Sequence, residues 1–232
     1  FHLDCTGGDL NLGIWSPVLR GPLPHGDPPN AHITGFCWHD RDHTQQAPDA
    51  ELRAFLDAGP PPIVFALGST GVHAAGRFYQ DAVAAAAALK QRALLVIGRD
   101  QPPPPNLPRD GSMKAVAYAP FSIVFPRASV IVHHGGAGTT AQAMRAGRPT
   151  LITPMAHDQF DNAARIKRLG AGDTLRFAKV TAARLQGALR GILTTPAHAR
   201  AAATLAERLR DEDGETVAAE RILRVFGDRG GD

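Results

Sequence analysis

The chain has 232 residues, 44% hydrophobic and 20% charged, with a formal net charge of +3 at pH 7. That balance fits a globular chain able to bury one sizeable core and excludes a disordered polymer. Its arginines are scattered rather than gathered into a basic stripe with interleaved aromatics, which argues against a nucleic-acid surface, and no apolar run approaches the roughly 18 residues of a membrane span.

The two cysteines, Cys5 and Cys37, are too few for a disulfide framework and lack zinc spacing. Cys37 with His39 and His43 makes at most half a metal site, so no metal is expected. The start at Phe1 shows neither an initiator Met nor a signal-peptide pattern, and the expectation is a fragment of a longer cytoplasmic protein.

Residues 1–50 are rich in Gly, Pro, Asp and His and read as an extended leader with one short strand at 32–36. Regular structure is expected from residue 51 to 232. Ile63-Val64-Phe65-Ala66-Leu67 follows three prolines and ends at Gly68-Ser69-Thr70-Gly71, the pattern of a buried parallel strand and its turn. The alanine-rich stretch 78–90 reads as helix. Strands at 93–97, 114–118, 130–132 and 150–152 alternate with helical segments at 121–126, after 136 and at 162–169, and three helices over 184–193, 197–210 and 215–226 close the chain. This alternation predicts an α/β fold, a doubly wound parallel sheet with helices on both faces. Ligands of such sheets bind at the carboxyl ends of the strands, which directs attention to 68–71, 118–121, 133–140 and 154–162.

The strongest signal is Val132-His133-His134-Gly135-Gly136-Ala137-Gly138-Thr139-Thr140, a strand running into glycines and threonines that open a helix. Glycines let backbone approach a phosphate, the N–H groups and dipole of a helix start favour an anion, and hydroxyls add hydrogen bonds. A rim histidine supplies charge where no metal is held. The bland alternative is a glycine turn beside a buried or capping His pair. Gly136-Ala137-Gly138-Thr139-Thr140-Ala141 also matches the dinucleotide fingerprint, with Asp158 about twenty residues on. That match follows a late strand instead of the first, and Asp158 falls in a loop beyond Pro154 rather than at a strand end.

Tyr118-Ala119-Pro120, the His-His-Gly-Gly-Ala-Gly-Thr-Thr run, Ala146-Gly147-Arg148-Pro149 and Pro154-Met155-Ala156-His157-Asp158-Gln159-Phe160-Asp161-Asn162-Ala163 together resemble the donor-site signature of the UDP-glycosyltransferase family, in its bacterial sterol, antibiotic and rhamnosyltransferase-like branch. The resemblance covers about residues 60–172. It implies the carboxyl-terminal, Rossmann-like half of a GT-B fold, residues 1–50 being an interdomain leader. It further implies a metal-independent, inverting hexosyltransferase that uses a UDP- or dTDP-sugar as donor substrate, no cofactor, and a small-molecule or lipid acceptor held by its own amino-terminal domain.

By the same resemblance His134 contacts the diphosphate, within a loop of Gly135, Gly136 and Thr140, and Gly138 and Thr139 supply phosphate-binding backbone and hydroxyl. Ser69 approaches the phosphates, Tyr118 with Ala119 meets the base, and Asp158 and Gln159 hold sugar hydroxyls. Gln142 stands where plant members carry a ribose-gripping glutamate and Gly138 where they carry asparagine, which leaves the nucleotide open. Each position has a plainer alternative: Asp158 and Ser69 as helix caps, Tyr118 as core, and Gln142, Gln159 and Asn162 as exposed helix residues. No catalytic base is expected within this chain. The alternatives to a transferase are a sugar-nucleotide epimerase, a nicotinamide or flavin enzyme, and a non-catalytic nucleotide-binding module.

Overall fold

A computed structural model of the chain describes residues 8–21, 30–38 and 50–227. Cys5, His39 and His43 lie outside the described residues. The elements in chain order are β1 (Asn11–Gly13), α1 (Pro17–Arg20), β2 (Ala31–Ile33), α2 (Ala50–Asp57), β3 (Ile63–Ala66), α3 (Gly68–Gly71), α4 (Phe78–Ala88), β4 (Ala93–Val96), β5 (Met113–Val116), α5 (Phe121–Val124), β6 (Val130–His133), α6 (Ala137–Arg145), β7 (Thr150–Ile152), α7 (Gln159–Arg168), β8 (Gly172–Thr174), α8 (Ala182–Leu193), α9 (Pro196–Arg208) and α10 (Gly214–Phe226). They divide into two compact units, one drawn from residues 40–207 and one that joins segments of 1–39 to 208–232.

The larger unit is a six-stranded sheet, all parallel, in the order β5-β4-β3-β6-β7-β8. From β3 the chain winds outward through β4 and β5, then returns to lay β6 against β3 and winds the other way. The order therefore reverses between β3 and β6, and this is where an open α/β sheet leaves a crevice for a ligand.

Both faces of the sheet are covered, as the continuous apolar strands require. Ile63, Phe65, Leu95, Val130, Val132 and Leu151 pack under α4 and α8, through Phe78, Ala82, Leu185 and Leu189. Val64, Ala66, Leu94 and Ile131 pack on the other face against Leu52, Phe55 and Leu56 of α2, Val124 of α5 and Ala143 of α6. Each large aliphatic or aromatic side chain buried in these layers contributes about 1.5–3 kcal/mol. Ala82, Ala85 and Ala86 are all buried on α4, so the alanine run is a close-packing face as well as a helix former.

The smaller unit corrects the reading of its amino-terminal segment as extended with a single strand. β1 and β2 pair in parallel, with Asn11 opposite Ala31 and Gly13 opposite Ile33. Between them α1 is capped by Ser16, whose Oγ accepts from Val18 N at 3.0 Å, with proline in its first turn. Glu212, just before α10, ties this segment to the carboxyl-terminal one. Its carboxylate accepts from Ser16 Oγ at 2.5 Å and Phe36 N at 3.2 Å, and its carbonyl from Trp38 Nε1 at 2.8 Å. Three elements of the larger unit depart from the sequence reading, the helix α2, the one-turn helix α3 where a turn is expected, and the edge strand β8, and α7 begins at Gln159 rather than 162. No described helix is long and apolar enough to cross a membrane.

Candidate functional site

Strand pairing aligns the carboxyl ends in one row: Val116, Val96, Ala66, His133, Ile152 and Thr174. Two residues beyond the three central ends stand Gly98, Gly68 and Gly135, with φ of 88°, 72° and 95°. Each adopts the left-handed conformation that side chains disfavour, so three neighbouring strands turn out of the sheet by the same device. Tyr118, Ser69, His134 and Asp158 follow β5, β3, β6 and β7 along this edge. At about 4.8 Å per strand, the row from β5 to β7 spans roughly 19 Å.

The two adjacent histidines have opposite fates. His133 is fully buried, and its Nδ1 accepts a hydrogen bond from Gly135 N at 3.1 Å. The proton therefore sits on Nε2. Burial, reinforced by the neighbouring His134, pushes its pKa down to about 3, so this ring is a neutral brace for the glycine turn. His134 is half-buried in the crevice. The Cε1–Nε2 edge of its ring lies so close to two glycines that a Cβ on either Gly68 or Gly136 would stand 2.5 Å from it. Those glycines admit the imidazole between the β3 loop and the start of α6. Burial lowers the pKa of His134, and the carboxylate of Asp158 works against that shift. Its Nδ1 has no hydrogen-bond partner among the described residues.

Gly136 is the N-cap of α6, extended at φ −60° and ψ 147°, with no side-chain cap. The first N–H groups of a helix have no intrahelical partner, so this uncapped start presents donors beside His134. Gly138 faces open space, and a Cβ there would meet nothing within 4 Å. Thr139 is 9% exposed and Thr140 fully buried, so the Thr140 side chain belongs to the core and not to a ligand surface. Gly135 is likewise a hinge rather than a contact: His133 holds its N–H, and Asn162 Nδ2 donates to its carbonyl at 2.8 Å.

At one end of the row Tyr118 is 49% exposed while Ala119 is buried, which sets aside Tyr118 as core. Ser69 is exposed within α3, and Gln142 is half-buried on α6. At the other end Asp158 occupies the N-cap position of α7 yet makes no side-chain cap bond; its Oδ2 instead accepts from Asn162 Nδ2 at 2.9 Å. Gln159 turns back on its own loop, its Oε1 accepting from Met155 N at 2.8 Å and Ala156 N at 3.1 Å. Only its amide N–H groups remain for a ligand. The plainer alternative for Asn162, an exposed helix residue, falls: it is 8% exposed. The glycine match to the dinucleotide fingerprint follows the fourth strand of the sheet and lacks the strand-end acid that fold requires. Among the described residues no three His, Cys, Asp or Glu side chains gather into a metal-binding group.

Residues 83–222 match the family model described as erythromycin biosynthesis protein CIII-like, C-terminal domain. The chain belongs to this family. It is 39% identical over 213 residues to O-mycaminosyltylonolide 6-deoxyallosyltransferase of Streptomyces fradiae, covering 91% of this chain and 46% of that protein. Among solved structures it superimposes on the glycotransferase of kitacinnamycin with a TM-score of 0.76 at 27% identity, over 94% of this chain and 55% of that one. The glycosyltransferase VinC, solved in complex with dTDP, shares the fold at a TM-score of 0.69 and 24% identity, over 99% of this chain and 55% of its own. The chain thus spans about half the length of the relatives it matches, and its α/β sheet is the Rossmann-like carboxyl-terminal half of the GT-B glycosyltransferase fold.

Proposed function

We propose that this domain holds the nucleoside diphosphate sugar for a metal-independent, inverting glycosyltransferase that passes a hexose from a UDP- or dTDP-sugar to a hydroxyl of a small-molecule or lipid acceptor. The observation that carries this reading is the imidazole edge of His134 set beside the uncapped start of α6, at the crevice where strand order reverses. Helix N–H groups and a histidine together offset a diphosphate without a resident metal. Ser69 joins them from the β3 loop. Tyr118 and the Ala119 backbone meet the base, Gln142 the ribose, Gly138 and Thr139 the phosphates, and Asp158 with Gln159 the sugar. The acceptor, and the base that deprotonates it, are assigned to an amino-terminal domain facing this one. The proposed compartment is the cytoplasm, in keeping with a charged donor whose burial in a bilayer is costly.

Calorimetric titration with UDP, dTDP, their hexose conjugates and NAD tests the reading. Binding of a pyrimidine diphosphate sugar is expected; tight binding of NAD with none of the sugar nucleotides would overturn it. The same titration separates the two sugar-end residues. Asp158→Ala should weaken the sugar nucleotide about tenfold, the value of a hydrogen bond to a charged group, and leave the bare diphosphate unchanged. Gln159→Ala should weaken both ligands, because its carbonyl also holds the N–H groups of Met155 and Ala156. An equal loss of both ligands in Asp158→Ala would remove Asp158 from the sugar site.

A further inference from the structure

We propose that Asn162 is a positioning residue that couples the phosphate loop to the sugar loop, an inference that rests on the donor-site reading above. Its amide is nearly buried, one turn into α7, and Nδ2 donates both to the Gly135 carbonyl at 2.8 Å and to Asp158 Oδ2 at 2.9 Å. Both partners can only accept, so the orientation of the amide is dictated by chemistry, and the two N–H bonds of a single nitrogen are both used. One of those bonds reaches the loop after β6 and the other the loop after β7.

Each end fixes something the donor needs. At the first, Gly135 carries a φ of 95°, and its N–H is held by His133. Asn162 secures the opposite side of the same residue, immediately before the Gly136 N-cap. At the second, the Asp158 carboxylate makes no bond to the N–H groups of its own helix. Asn162 holds Oδ2 and leaves Oδ1 to accept from a ligand hydroxyl. The charge of Asp158 also acts on His134, so the carboxylate stands within electrostatic reach of the phosphate-side ring. Without Asn162 the exposed carboxylate would sample several rotamers, and ordering it again would be charged against sugar binding.

The test compares wild type, Asn162→Ala, Asp158→Ala and the double variant by titration with dTDP and dTDP-glucose, with UDP and UDP-glucose in parallel, alongside thermal melts. Asn162→Ala is expected to lose the sugar-specific part of the affinity, the gain of sugar nucleotide over bare diphosphate, by about the same tenfold as Asp158→Ala. The double variant should lose no more of the sugar-specific part than either single one, because the two residues act as a unit. Asn162→Ala should also lose several-fold for the bare diphosphate, which Asp158→Ala should not. Asn162→Asp, with the same shape but an acceptor in place of the donor, should lose at least as much as Asn162→Ala. A melting temperature that drops while the sugar-specific part survives, or losses that multiply in the double variant, overturns the inference while leaving the donor site standing. Failure of wild type to bind any sugar nucleotide overturns the donor-site reading and this inference with it. If Asn162→Ala does not fold, Asn162→Asp carries the test, and failure of both marks Asn162 as a residue of the fold alone.

Discussion

Replacing His134 with alanine is expected to weaken binding of a nucleoside diphosphate by about ten- to a hundredfold, with a smaller loss for the monophosphate. The size follows from a hydrogen bond to a charged group, about 1.5–3 kcal/mol. Direction of charge gives a second readout. Burial keeps the pKa of His134 below its ordinary value, so the imidazole of the empty site is neutral at pH 7. A diphosphate beside it favours the imidazolium and raises that pKa in the complex. Between the lower value and the raised one, the complex holds a proton that the empty protein lacks. Affinity should therefore climb as pH falls through the pKa of the complex and level off below that of the empty site. A sugar nucleotide suits this measurement because each of its phosphorus atoms carries one ester and one anhydride linkage, leaving only strongly acidic groups with no proton to exchange in the window. His134→Ala should flatten the slope, and His134→Gln should flatten it while keeping part of the affinity, since the amide donates without titrating. Equal losses for mono- and diphosphate would show that the ring only fills the gap between Gly68 and Gly136.

The residues that made the site legible were those whose chemistry and spacing admit few structures. Strand 63–66 and the glycine run at 135–138 announced themselves through continuous hydrophobicity and φ freedom, and the structure sets them on either side of the crevice. What stayed hidden depended on tertiary partners. Gly172-Asp173-Thr174 has little strand propensity, yet it pairs at the sheet edge because glycine lets it approach: a Cβ on Gly172 would stand 2.0 Å from the Thr150 carbonyl. The helix Ala50–Asp57 does carry a signal, Leu52, Phe55 and Leu56 at helical spacing, next to a proline run that masks it. Ser16 before Pro17 was likewise a readable helix start. The roles of His133 and Asn162 were beyond sequence, because a brace and a solvent-facing residue differ only in what lies opposite them.

The same distinction separates the two residues proposed for the sugar. The family resemblance makes Asp158 and Gln159 a pair of equals, two polar side chains reaching for hydroxyls. In the structure they divide the work. Gln159 spends its carbonyl on the loop that presents Asp158, and Asn162 spends its amide on the carboxylate itself. Asp158, exposed and acceptor-rich, is left as the group with spare capacity for a ligand.

The largest effect is expected from an assay that changes no residue. Supplied with sugar nucleotide and a panel of lipid, phenolic and polyketide alcohols, this chain alone should bind donor and transfer nothing. It spans 46% of the 6-deoxyallosyltransferase it matches, and His133, His134 and His157 offer no base for an acceptor. His133 is sealed in the core, with its Nδ1 already accepting from Gly135. His134 is wedged between Gly68 and Gly136, on the side proposed for the phosphates. His157 is exposed in a left-handed turn at φ 53°, immediately before Asp158, and so stands on the proposed donor wall rather than on one facing it. Alignment of acceptor and donor supplies about 7–11 kcal/mol of a barrier, so removing one wall of the cleft should abolish turnover rather than reduce it. The sheet has buried layers on both faces within the larger unit, so folding and donor binding should survive the loss. Mass spectrometry of the reaction mixture decides the matter. Repeated turnover on any alcohol would mean that a base lies within residues 1–232, with His157 the first to replace, and the division of labour between two facing domains would have to be given up.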